Sequence, residues 1–217
     1  MSEILDLLGE PTWQTIYMVG ASTLFSLVLG FPLGVLLHVT APGGLAPRAL
    51  LNSVVGRVVN ALRSFPFIIL MILVFPLSRI IVGTSIGTTA TIVPLSIAAA
   101  PFVARLIESA LADVDPGFIQ AALAMGSTNW QVIRKVMVPE ALPSLVAGIT
   151  TTIINLVGYS AMAGAIGGGG LGDLAVRYGY QRFRVDVMIA SVIVILLLVE
   201  AVQLLGSFLG RRILAKR

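Results

Sequence analysis

QAALAMGSTNWQVIRKVMVP, residues 120–139, separates two long apolar runs with small residues, a lone glycine, two adjacent cations and a terminal proline. Just upstream, Asp115 before Pro116 reads as an N-cap with proline at the first helical position, where no N–H is needed. The helix from Pro116 then runs to about Met125 and stops at Gly126, the usual residue for a left-handed C-terminal cap. Thr128 and Gln131 have capping-box spacing and start a second short helix. Pro139 ends it just before the next apolar run. Residues 116–138 are therefore expected to form a helix–turn–helix insert near a membrane surface. Ala121 and Ala122 leave a shallow face on which another helix or groove can sit closely, while Trp130, Val132 and Ile133 offer bulk. Two roles fit these residues: an interfacial helix pair anchored by Trp130 and the cations, or a docking surface for a partner.

The runs on either side decide the class of protein. Of the 217 residues, 57% are hydrophobic and 11% charged, against roughly a quarter charged in soluble domains. That much apolar surface implies an integral membrane protein. A spanning helix needs about 20 mostly apolar residues. Five segments qualify: residues 15–39, 58–82, 92–111, 141–165 and 187–209. Lipid cannot satisfy the open edges of strands, so the fold class is an all-α bundle of five transmembrane helices in one domain over residues 1–217. Pro32, Pro66, Pro76, Pro94 and Pro101 fall within the spans and predict kinks. Gly30 and Gly34 form a GxxxG pair, which with Gly20, Ala21 and Ser22 predicts close helix packing. The opening MSEILDLLGE lacks a cationic n-region and a cleavage site, so the first span is expected to be an uncleaved anchor.

Charge sets the orientation. With the insert in the cytoplasm, ten of the 14 Lys and Arg residues fall on that side: Arg48, Arg57, Arg63, Arg105, Arg134, Lys135, Arg211, Arg212, Lys216 and Arg217. Arg79, Arg177, Arg182 and Arg184 fall outside, as does the acidic stretch with Glu3, Asp6 and Glu10. This bias predicts an external N-terminus and a cytoplasmic C-terminus. The net charge is only +4 and its cations cluster at span ends, which fits topology and argues against nucleic acid as a partner. Having no Cys, the chain forms no disulfide and offers no thiolate for catalysis or metal ligation.

The insert resembles the EAA signature of ABC-importer permeases. That signature is Glu-Ala-Ala, three residues, Gly, nine residues, Ile, one residue, Leu-Pro. Here Gln120, Ala121, Ala122, Gly126, Val136, Val138 and Pro139 occupy its positions, and Gln120 removes a charge that the signature carries. The likeness extends along most of the chain. RSFPFIIL at 63–70, IVGTSIG at 81–87, LVGYSAM at 156–162 and GGGGLGDLAVRYGY at 167–180 are similar to permease subunits of bacterial methionine importers. What the resemblance implies is a homodimer of permease subunits, two ATPase subunits beneath and an external methionine-binding protein. It also implies a bacterial inner-membrane location and an insert (Gln120, Ala121, Ala122, Gly126, Pro139) that couples to the ATPase. The chain itself would be non-catalytic and without a cofactor.

Other motifs carry less. Gly167-x-Gly169-x-x-Gly172 matches GxGxxG but follows a span and lacks a βαβ unit, so it is not read as a nucleotide site; a flexible outer loop that a binding protein presses against is expected instead. No Gly-x4-Gly-Lys-Ser/Thr occurs, and the only lysines are Lys135 and Lys216. Gly83-x-Ser85-x-Gly87 imitates a nucleophile elbow, yet the single histidine, His38, falls at the opposite end of the bundle, and it has no second ligand at metal spacing. Arg105 and Glu108, three apart, are expected to pair as a structural unit. Glu200 stands midway along the last span, where an acid is a functional candidate by default. Asn155, Tyr159, Ser160 and Met162 on the fourth span give a mixed surface, read either as pathway lining or as core. A same-family permease for another amino acid or an osmoprotectant would share the insert. An ion-coupled secondary transporter would instead show internal repeats and paired intramembrane charges.

Overall fold

Apolar runs with few charges become helices because only a helix satisfies its own backbone inside lipid. The computed structural model describes residues 2–215, apart from the side chains of Ser2, Glu3 and Leu5. Lys216, Arg217 and the Glu3 side chain, counted in the charge balance, lie outside that description. The helices are α1 (Ser2–Thr40), α2 (Ala49–Ser64), α3 (Phe67–Val82), α4 (Thr88–Ala112), α5 (Pro116–Ala124), α6 (Asn129–Val132), α7 (Val138–Glu140), α8 (Leu142–Gly164), α9 (Gly170–Leu174) and α10 (Val185–Leu214). Two π turns, Ile133–Met137 and Ala175–Tyr180, join α6 to α7 and extend α9. There is no strand among the described residues, in keeping with the all-α expectation.

Four helices (α1, α4, α8 and α10) are each long and apolar enough to cross a membrane. The expected second span over 58–82 is not one continuous helix: α2 and α3 pass that test only as a pair, and they meet at 107°. Phe65 is extended (ψ 133°), because a proline ring disfavours helical backbone in the residue before it, and Pro66 (ψ 128°) is the non-helical N-cap of α3. Pro32, Pro76, Pro94 and Pro101 all stay inside helices. Pro66 breaks its helix because the preceding segment, with Arg48, Asn52, Arg57, Asn60 and Arg63, is too polar to continue as a span. α2 is instead tied to its neighbours by Asn52, whose amide donates to the Leu37 carbonyl (2.6 Å) and to Thr40 Oγ1 (3.2 Å). The first helix is longer than expected: 39 residues, or about 58 Å at 1.5 Å per residue, so its first turns project beyond a hydrocarbon core of about 30 Å.

α1 and α4 form the most extensive helix pair, and the GxxxG glycines sit at its closest approach. A Cβ on Gly30 would lie 2.7 Å from the Ala100 carbonyl oxygen, and one on Gly34 2.5 Å from that of Ala104. The Ser22 hydroxyl donates to the Ile92 carbonyl across the same contact, whereas Gly20 faces open space. Met18, Leu95 and Leu156 fill the middle of the bundle. At one end Val103, Ile107 and Leu111 of α4 share a core with Ala122, Val132 and Met137 of the insert. The insert thus shares its side-chain core with α4 and, at its border, with α1.

Candidate functional site

The local chemistry of the insert is as the residue types dictate. The Asp115 carboxylate accepts from the Gly117 N–H (2.7 Å) and caps α5 with Pro116 in its first turn. Gly126 has φ +82°. Its N–H donates to the Leu123 carbonyl (2.9 Å), and that of Ser127 to Ala122 (3.1 Å). These two bonds are a Schellman termination, which needs a residue at ease with positive φ. Thr128 and Gln131 bond reciprocally as a capping box at the start of α6. Asn129 then pins the turn to the bundle by donating to the Leu45 carbonyl (3.2 Å).

Two expectations about the insert are corrected. Pro139 does not end the second helix; the trace stays helical through a π turn, in which Val138 N–H donates to the Ile133 carbonyl, and passes Pro139 into α7 and α8. The wider turn accommodates a proline that has no N–H to give. Ala122 does not belong to the open face. It is 3% exposed, within the core cluster that holds Val114, Val132, Ile133 and Met137. The exposed face of α5 carries Phe118, Gln120, Ala121, Leu123 and Met125, with Trp130 beside it on α6. Gln120 and Leu123 also border a cleft of about 530 Å³ that reaches His38, Gly44 and Glu108. The structure brings Gln120, Ala121 and Gly126 together at the surface, and places Ala122 behind them and exposed Pro139 apart.

Along α8, Asn155, Tyr159 and Met162 recur at helical spacing on one face, with Gly158 and Thr151 exposed between and below them. Ser160 is not on that face. It is 2% exposed, and its hydroxyl donates to the Val157 carbonyl (2.8 Å). Tyr159 stacks on Phe67 at 4.4 Å, joining α8 to the first residue of α3 beside the broken span. Nothing in the periodicity pointed to that break as part of the site. The signal that could have located it is the polar content of residues 48–64 followed directly by Phe65-Pro66.

The glycine-rich segment is also corrected, since it is packed and held rather than loose. Gly170 N–H donates to Gln14 Oε1 and Leu171 N–H to Thr15 Oγ1, both at 2.9 Å, and Gly87 N–H to the Gly167 carbonyl at 3.0 Å. Leu171 is fully buried, and a Cβ on Gly164 or Gly172 would overlap neighbouring backbone. Composition reads glycine as flexibility; here it permits close approach.

Arg105 and Glu108 form the expected pair at 2.6 Å, and Arg105 also donates to the Gly56 carbonyl of α2 at 3.1 Å. Glu200 lies exposed on α10, above a polar contact in which Gln203 donates to Ser207 (3.3 Å).

The family description "binding-protein-dependent transport system inner membrane component" matches residues 30–215. The chain belongs to that family. This permease is 52% identical over 208 residues to the probable D-methionine transport system permease protein MetI of Vibrio cholerae serotype O1, covering 96% of this chain and 92% of the relative. It is 52% identical over 165 residues, 76% of each chain, to the D-methionine transport system permease protein MetI of Escherichia coli K12. An inward-facing crystal form of the MetNI methionine ABC transporter matches with a TM-score of 0.96 at 46% identity, over 98% of this chain and 99% of that one. An amino acid ABC transporter at 20% identity, with a TM-score of 0.80, shares the fold.

Proposed function

We propose that this permease is the membrane-spanning subunit of an ATP-binding-cassette importer that moves methionine, in D or L form, across the bacterial inner membrane. The named relatives and the MetNI likeness support the substrate and the class. The observation that carries the mechanism is the face of α5. Gln120, Ala121, Leu123 and Met125 are exposed on a helix whose other side is locked into the core by Ala122. That arrangement is a rigid lever with an open seat.

In this reading two copies of the permease enclose the pathway, two ATPase subunits hold the paired inserts, and an external protein delivers methionine. The insert is cytoplasmic and the N-terminus external, in line with the Lys and Arg distribution. Because the insert shares its core with α1 and α4, closure of the ATPases displaces the insert and the spans together, as rigid bodies switching between inward-open and outward-open forms. ATP hydrolysis belongs to the partner chain, and the permease is non-catalytic. Asn155, Tyr159 and Met162 line the pathway from α8, with Ser160 bracing them from behind. The coupling residues are Gln120, Ala121 and Gly126 at the surface, supported by Ala122 and Pro139.

Co-purification of the tagged chain from native membranes tests this. Recovery of an ATPase with a Walker motif and of a methionine-binding protein is the expected result. A lone homo-oligomer under mild detergent would refute the coupling role and make Glu200 the first residue to examine for ion-coupled transport.

A further inference from the structure

We propose that the break between α2 and α3 holds a weak subsite for the carboxylate of an amino acid in transit, with the Arg63 guanidinium as its receptor. The proposal rests on the importer reading above and adds to it a named contact within the pathway.

Arg63 is the penultimate residue of α2 and is exposed. Its neighbour in the structure is the Phe102 ring, 6.0 Å from the guanidinium carbon to the ring centroid, and among the described residues no carboxylate comes within ion-pair distance of it. Phe102 stands 14 residues after Thr88 and 10 before Ala112 on α4, about 21 and 15 Å from the two ends at 1.5 Å per residue. Arg63 therefore stands alongside the interior of α4 rather than at its end, with no counter-charge beside it. Arg105, one turn along α4 from Phe102, shows how this chain settles a structural cation: it pairs with Glu108 at 2.6 Å and donates to a backbone carbonyl. Arg63 has neither arrangement. Its position suits a mobile anion that arrives and leaves.

The surroundings fit the head of an amino acid. Arg63, Phe65, Phe67, Ala98, Phe102 and Tyr159 line a cavity of about 130 Å³. A space of this size admits a carboxylate and its α-carbon. The remaining side chain would lie along the stacked Phe67 and Tyr159 rings, which suit a polarisable thioether. Tyr159 also belongs to the α8 face with Asn155 and Met162, so the cavity adjoins the surface assigned to the pathway. A single guanidinium holds the anion without enclosing it, which keeps release easy.

The test uses the assembled permease–ATPase complex in nanodiscs without the binding protein. Millimolar methionine and its alcohol analogue methioninol, which lacks the carboxylate, are compared by equilibrium dialysis. The wild-type complex is expected to favour methionine by about tenfold or more, the scale of one lost charge-assisted hydrogen bond. Arg63→Gln is expected to abolish that preference, and Arg63→Lys, which keeps the charge, to retain most of it. Equal binding of the two compounds by wild type overturns the proposal, as does a preference that survives in Arg63→Gln. Should Arg63→Gln fail to assemble, an assembled Arg63→Lys complex with no preference overturns it. ATP-driven methionine accumulation by wild-type proteoliposomes with the binding protein is measured alongside. Accumulation without a carboxylate preference refutes the subsite alone, whereas no accumulation refutes the importer reading.

Discussion

Ala122→Trp and Ala121→Trp should fail in different ways, although the two residues are adjacent. Ala122 is 3% exposed within the core of the insert, whereas Ala121 lies on the open face of α5. Forcing extra methylenes into a packed interior costs about 1–3 kcal/mol, and an indole in place of a methyl adds far more volume than that. The expected penalty at residue 122 therefore exceeds about 3 kcal/mol, more than a hundredfold in the folding equilibrium. At residue 121 the indole points away from the core, and the fold should be unaffected to within about 0.5 kcal/mol, as for other surface changes. The assay has two stages: monodispersity of the detergent-solubilised chain after a heating series, then recovery of the ATPase on the tagged permease. Ala122→Trp should lose the monodisperse peak at temperatures where wild type keeps it. Ala121→Trp should keep the peak and lose the ATPase. An Ala122→Trp variant that melts like wild type would refute the packing of the insert, and an Ala121→Trp variant with full ATPase recovery would refute the docking face.

Gly126→Val places a β-branched residue at φ +82°, costing about 1–2 kcal/mol, and should lower methionine uptake per ATP hydrolysed. Gly126→Asn, which tolerates that conformation, should restore most of it; equal uptake by all three proteins would argue against a turn that transmits motion. Gly34→Val puts a Cβ 2.5 Å from the Ala104 carbonyl oxygen, which cannot move without separating α1 from α4, so the yield of folded protein should fall severalfold on size-exclusion chromatography. Glu200→Gln should leave ATP-driven uptake within about twofold of wild type, because nothing in the mechanism titrates it; loss of uptake with normal ATP hydrolysis would count against that mechanism.

The caps and the turn of the insert were legible because each of their signals is local. A carboxylate before a proline, a capping box and a glycine at a helix end act within four residues of one another, and Asp115, Thr128, Gln131 and Gly126 all behave accordingly. The GxxxG pair was readable for a similar reason, since only packing favours two glycines one turn apart in a span. The break at Pro66 was not. Pro32, Pro76, Pro94 and Pro101 remain inside helices, and what separates Pro66 from them is the polarity of the preceding helix and its tertiary ties to Leu37 and Thr40. The inward turn of Ala122 depends on which side of α5 meets α6 and the π turn that follows it, which Ala-Ala alone cannot encode. Glycine composition around 167–172 was misleading because flexibility and close approach require the same residue; the anchors that decide between them, Gln14 and Thr15, lie more than 150 positions away in sequence.

Reconstitution of the permease with its ATPase and binding-protein partners in proteoliposomes, followed by radiolabelled methionine uptake, tests the central claim most directly. Accumulation against a gradient that needs ATP on the insert side and binding protein on the other is the expected result. Accumulation driven by a proton or sodium gradient without ATP, or none of methionine under any condition, would contradict it.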